Sequence, residues 1–219
     1  MRIKDRPGIS TATQKRLTRV MELSLIGMFF IGIERGSTSI IVNTGMGLLV
    51  AQLPAVLERD YHIPLDTGLS LWITTAVWLH GLGTVGLPGA GANFYATIWW
   101  WDHATHALSS SVVAAAGYIT VRSLDAHSEN IYIPSHFMFV FILMFVIAFG
   151  VFWEVIEFTV SEGAALLGTG TVLTQYGLDD TMLDLVFDTI GAVVVAVWGT
   201  AHLSDVVGVV SGWLDVRDS

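Results

Sequence analysis

From Phe137 to Trp153 the chain runs without a charge, an amide or a hydroxyl. That is close to the ~20 residues an α-helix needs to cross the hydrocarbon core of a bilayer. Other apolar segments can be drawn on either side of it, so that six lie near 20–33, 38–57, 69–87, 97–121, 135–159 and 181–203. Only 13% of the 219 residues are charged and 53% are hydrophobic, whereas a soluble domain carries roughly 25% charged residues. The composition excludes a solvated globular domain and leaves no length for a second sizeable one. The expected fold is all-α, a polytopic transmembrane bundle of about six helices in the plasma membrane.

The expected organisation is a basic cytoplasmic tail over 1–19, a single transmembrane domain over 20–203 and a short acidic cytoplasmic tail over 204–219. The first apolar segment is short for a span; it needs part of 14–19 to complete it, or a tilted or re-entrant course. With the N-terminus inside, Arg2, Lys4, Arg6, Lys15, Arg16, Arg19, Arg59, Arg122 and Arg217 all lie on the cytoplasmic side, and Arg35 alone lies outside. This asymmetry follows the positive-inside rule and supports an even number of spans with both termini cytoplasmic. Trp99, Trp100 and Trp101 then mark the outer end of the fourth span, with Trp72 and Trp213 near the inner interface. There are no cysteines, which excludes disulfides, thiolate metal sites and a cysteine nucleophile. No basic patch points to nucleic acid.

Acidic residues nevertheless enter the apolar segments. Asp180, Asp184 and Asp188 stand one helical turn apart in the last of them. A carboxylate at mid-bilayer depth costs at least ~2.5–3.5 kcal/mol, so such a ladder needs partners or water. The orientation above puts the other polar residues at the same end of the bundle: Asp102, His103 and His106 on the fourth segment, Glu154 and Glu157 on the fifth, His80 on the third and Asn43 on the second. Consecutive spans run in opposite directions, so chain position alone does not force this clustering. It predicts one polar pocket opening to the outer face.

Asp102 and His106 are spaced i,i+4, and Glu154 and Glu157 i,i+3, so each pair shares a helix face. Asp102, His106, Glu154, Glu157 and Asp184 are the candidate catalytic residues, and the same five with Asp180 the candidate metal ligands. Carboxylates with imidazole suit Zn, Mn or Fe, and carboxylates alone suit Mg or Ca. For Asp180 and Asp179 an equal reading is a helix cap, because acids favour a helix N-terminus. Ser109, Ser110 and Ser111, one turn below His106, read as packing residues of the kind common at membrane helix contacts, as do Gly27, Gly32, Gly45 and Gly47. His62, His127, His136 and His202 read as inner-side or loop surface residues.

Three elements together carry a family resemblance. Trp101-Asp102-His103-Ala104-Thr105-His106 resembles the W-D-x-x-x-H element of the YjdF-like membrane proteins of bacteria and archaea. Trp153-Glu154-Val155-Ile156-Glu157 resembles their W-E-x-x-E element. Leu167-Gly168-Thr169, then Asp180-Thr181-Met182-Leu183-Asp184 and Gly191-Ala192, resembles their closing stretch. The VanZ-like proteins, which are associated with glycopeptide-antibiotic resistance and hence with the cell envelope, look similar. The resemblance covers roughly 38–200 and implies a compact bundle of about six helices, without a reaction. Ala107-Leu108 and Met182 depart from the family pattern, and Asp188 and His103 look like additions to it.

The pocket suggests a divalent-metal-dependent hydrolase or transferase acting on a lipid or lipid-linked envelope substrate. The alternatives are a cation- or proton-coupled transporter and a scaffold in which the cluster serves only stability. The transporter reading lacks a continuous path, because the inner halves of the segments are nearly free of ionisable groups.

Overall fold

The computed structural model describes residues 9–63, 65–87, 92–128, 130–168, 170, 172–173 and 177–217, with backbone alone at 199–202 and 216–217. Its helices are α1 (Thr11–Glu34), α2 (Thr38–Ala51), α3 (Leu53–Tyr61), α4 (Thr67–Val85), α5 (Phe94–Thr97), α6 (Trp101–His127), α7 (Ser135–Leu167), α8 (Leu178–Val194) and α9 (Thr200–Arg217). A π-turn over Val195–Gly199 carries α8 into α9. No strand occurs among the described residues, so the fold is all-α.

Among the described residues, four stretches are long and apolar enough to cross a membrane: Thr38–Tyr61, Trp101–His127, Ser135–Leu167 and Leu178–Trp198. They hold the second, fourth, fifth and sixth of the segments drawn from sequence. The first and third fall on α1 and α4, which are helical without meeting the same measure. Helix α1 starts at Thr11, so Lys15, Arg16 and Arg19, in the stretch expected to be a basic tail, are helical. At the other end α9 runs to Arg217, through most of the stretch expected to be an acidic tail. Arg2, Lys4, Arg6 and positions 88–91 lie outside the described residues, as does the side chain of His202.

Local chemistry sets the helix ends. The Ser10 side chain accepts from Thr13 N, the Ser37 side chain from Ile40 N, and Asp66 from the backbone N–H groups of Gly68 and Leu69, each satisfying donors that a first helical turn leaves open. Gly168 closes α7 at φ +64°, a left-handed position that glycine adopts without penalty.

Helices α1, α2 and α4 pack around Leu25, Met28, Ile40 and Val85. Helices α6, α7, α8 and α9 pack around Ala114, Tyr118, Ile142, Val146, Ala192 and Leu203, and α4 against α6 joins the two groups. The seam between α6 and α8 is especially close. A side chain at Gly191 would run into Ser110 Oγ and the Ala107 carbonyl, so only glycine fits there. Ser110 and Ser111 are buried at this seam; their hydroxyls donate to the Ala107 and Leu108 carbonyls, and Ser111 Oγ also accepts from Trp72 Nε1 at 3.1 Å. They pack, as expected. Gly32 is also tight, against Ile40 and Ile41, but Gly27 faces open space and is not a close-packing position. On the outside, α7 exposes Phe137, Met144, Phe152 and Phe158, the apolar exterior that a lipid solvent favours.

Candidate functional site

The close approach at Gly191 brings one face of α6 against one face of α8. Each face carries two polar residues one turn apart: Asp102 and His106 on α6, Asp184 and Asp188 on α8. His106 Nε2 lies 3.6 Å from Asp102 Oδ1 and 3.7 Å from Asp184 Oδ2. Asp102, His106 and Asp184 each offer a ligand atom within 4.8 Å of the others. The second ring nitrogen, Nδ1, is 3.3 Å from Asp188 Oδ1. With the Nδ1 proton donated to Asp188, the Nε2 lone pair faces the two remaining carboxylates.

Helix α7 makes room for this arrangement. A Cβ at Gly150 would stand 2.5 Å from Asp188 Oδ2, so a larger residue there would displace the carboxylate that orients His106. Asp184 is 1% exposed and Asp188 6%, so both carboxylates are removed from bulk solvent.

Two observations bear on whether a metal ion fits. Metal–ligand bonds of about 2.0–2.2 Å place two ligand atoms of one ion at most about 4.3 Å apart. The 3.6 and 3.7 Å gaps are inside that reach and too long for hydrogen bonds. In addition, Asp184 Oδ1 is buried without a hydrogen-bond partner, a costly state for a carboxylate oxygen that a bound cation would relieve. Asp102, Asp184 and Asp188 surround one imidazole and offer oxygen donors beside its nitrogen. The donor set of oxygen and imidazole nitrogen suits Zn or Mn.

The other candidate residues occupy a neighbouring layer. Glu154 and Glu157 are buried on α7, but each is engaged elsewhere: Glu154 Oε2 accepts from Thr181 Oγ1 at 2.7 Å, and Glu157 Oε1 from Trp153 Nε1 at 3.0 Å. Thr181 is one turn from Asp184, so Glu154 sits beside the group without joining its ligand atoms. Asp179 and Asp180 lie in the first turn of α8, whose N-cap is Gly177 with no side-chain cap bond. There their charges lie near the positive end of the helix. Asp180 is likewise outside the three-residue ligand group.

A small polar cleft of about 50 Å³ opens beside Asp102, lined among others by Ser39, Asn43, His80, Thr84, Asn93 and Tyr95. Hydrogen bonding fixes the tautomer of its histidine. The Asn43 amide NH₂ donates to two backbone carbonyls, Ser39 at 2.8 Å and Val172 at 3.2 Å, which turns Asn43 Oδ1 toward His80. His80 Nε2 therefore donates to Asn43 Oδ1 at 2.9 Å, and its Nδ1 accepts from the Tyr95 hydroxyl at 2.6 Å. His80 thus belongs to the cleft wall rather than to the ligand group.

Asp188, read from sequence as a deeper partner in the aspartate ladder, and Tyr95 stand outside the candidate catalytic and metal-binding residues drawn from sequence. Asp188 had a signal, as the third member of the aspartate ladder. Tyr95 had none, because it sits on the four-residue α5 outside every apolar segment.

The profile of a family described as "Predicted membrane protein (DUF2238)" matches residues 17–205. The chain belongs to that family. A Thermotoga maritima protein described as an uncharacterized protein is 31% identical over 147 residues, covering 65% of this chain and 67% of its own length. No solved structure matches the chain. Membership of DUF2238 is consistent with the YjdF-like resemblance and makes this a membrane protein with apolar helices and a His/Asp cluster.

Proposed function

We propose that this DUF2238 protein is a divalent-cation-dependent enzyme of the plasma membrane, a hydrolase or transferase acting on a lipid or lipid-linked envelope substrate at the outer face. The observation that carries the reading is the convergence of Asp102, His106 and Asp184 on one point, with Asp188 on the far nitrogen of His106. A carboxylate behind a ligating imidazole fixes the ring and its tautomer and raises its basicity, which is the usual outer-shell support of a metal site.

In this reading Asp102, His106 and Asp184 hold the cation, which is Zn, Mn or Mg. Bound there, it would polarise a substrate oxygen and lower the pKa of a water. Glu154 and Glu157 stand next to the group as acid–base residues, and Asp180 adds negative charge at the entrance. The cleft beside Asp102 presents hydroxyls, amides and an imidazole, groups that hydrogen-bond a polar part of a substrate. The outer-face placement rests on the distribution of basic residues, and the envelope assignment also on the VanZ-like resemblance.

The test is the metal content of the full chain purified in detergent. One or more divalent ions per chain should persist through dialysis and be lost from Asp184→Asn and His106→Ala proteins that remain folded. The metal-loaded protein, incubated with a total lipid extract, should convert a lipid species detectable by mass spectrometry, and chelation should stop the conversion. A protein that binds no divalent ion even after reconstitution would falsify the reading.

A further inference from the structure

His103 is the one imidazole of this region that neither the ligand group nor the cleft accounts for. Its ring lies flat on Phe187 of α8, with centroids 4.5 Å apart and planes 1° from parallel. The edge of Trp99 closes a second side at 6.4 Å. Stacking of this kind fixes the ring plane, and in that plane Nδ1 is turned to α8. Nδ1 faces Asp184 Oδ1 at 3.9 Å. That separation is too long for a hydrogen bond, and both atoms are buried with no hydrogen-bond partner. Two facing polar atoms, each unsatisfied, are rare in native structures and mark a place where a water or an ion belongs.

Asp184 therefore has its two oxygens turned to different imidazoles: Oδ2 toward His106 Nε2 at 3.7 Å and Oδ1 toward His103 Nδ1 at 3.9 Å. Both gaps are within the about 4.3 Å that two ligand atoms of one ion can span. His103 nevertheless stands outside the set of atoms that all lie within 4.8 Å of one another. A single ion bound to Asp102 and His106 could not also reach His103 as the side chains stand.

We propose that the site holds two divalent cations bridged by Asp184, with His103 a ligand of the second. The inference rests on the metal reading above and deepens it. Two-metal sites place their ions about 3.5–4 Å apart, a spacing that one carboxylate bridges through its two oxygens. The first cation has Asp102, His106 and one oxygen of Asp184. The second has His103 and the other oxygen, with its remaining coordination positions taken by water. This assigns His103, an addition to the family pattern, the role of a ligand to the second cation.

Mn²⁺ is the probe, added to the purified full chain and read by metal analysis and electron paramagnetic resonance. The wild-type protein should take up two Mn²⁺ per chain and show the spectrum of a spin-coupled pair. His103→Ala should bind one and give the six-line spectrum of an isolated ion, with the affinity of that ion unchanged. Asp184→Asn should abolish the coupling altogether. One uncoupled Mn²⁺ in the wild type overturns the two-cation proposal and leaves the single-metal reading standing; no Mn²⁺ in the wild type overturns both. The wild-type stoichiometry decides the matter even where a variant fails to fold. Phe187→Leu, which removes the stacking partner and no ligand, should weaken the second ion selectively.

Discussion

His80 and His106 lie at the same end of the bundle, and each has a polar partner at both ring nitrogens. Around His80 the contacts are 2.6 and 2.9 Å, and Asn43 is in turn tied to two backbone carbonyls. Around His106 they are 3.3, 3.6 and 3.7 Å, and the adjacent Asp184 Oδ1 has no partner. Buried polar groups that serve only to fix helix packing close their hydrogen bonds, because an open one costs about 1–3 kcal/mol. The His80 network has the form of a finished structural device. The His106 cluster has the form of a site shaped for something else.

The largest expected effect is that of Asp184→Asn, which removes a shared ligand and its charge. Isothermal titration should show divalent-cation affinity falling by more than the roughly 10–100-fold typical of losing an outer-shell partner. A drop smaller than tenfold would remove the contrast between the two histidines. Next comes removal of the ion itself. At a cation concentration of about 100 times Kd, binding stabilises the folded state by about 2.7 kcal/mol. EDTA should therefore lower the thermal midpoint of the wild type and leave that of Asp184→Asn where it is; equal shifts would place the stabilising ion elsewhere.

Asp188→Asn should follow, with cation affinity about 10–100-fold lower, because His106 loses the carboxylate that orients it. Gly150→Ala should move affinity in the same direction, since the new methyl group would crowd Asp188 Oδ2. Unchanged affinity in both variants would remove Asp188 from the site. The smallest effect on the cation is expected for Tyr95→Phe. It leaves His80 Nδ1 unpaired and should reduce stability by roughly 1–3 kcal/mol in a denaturation experiment, with cation affinity unaltered. Loss of binding in this variant would merge the two networks into one site.

Much of this was readable along the chain. The uninterrupted apolar run before Glu154 dictates helix, because a bilayer requires every backbone N–H and C=O to be satisfied within the segment. The i,i+4 pairing of Asp102 with His106, and of Asp184 with Asp188, likewise follows from helical pitch. Other features were not readable. The division of labour among the carboxylates depends on contacts formed only in the folded chain: Glu154 is held by Thr181 of α8, and Glu157 by Trp153. Helix boundaries at Thr11 and Arg217 extend past the apolar segments because amphiphilic turns continue a helix once its apolar part is formed.

The sequence by itself determined that this is an all-helical membrane protein whose acidic and histidine side chains recur at one-turn spacing. Both properties are local, set by hydropathy and by about 3.6 residues per turn. Only the tertiary structure decided which of those side chains meet. Gly191 lets α6 and α8 approach, Gly150 makes space for Asp188, and Phe187 stacks on the His103 ring that faces Asp184. The aspartate ladder thereby resolves into distinct parts: Asp180 at the helix start, Asp184 shared between two imidazoles, and Asp188 behind His106. Helix pitch puts the three on one face; the packing of neighbouring helices gives each a different partner.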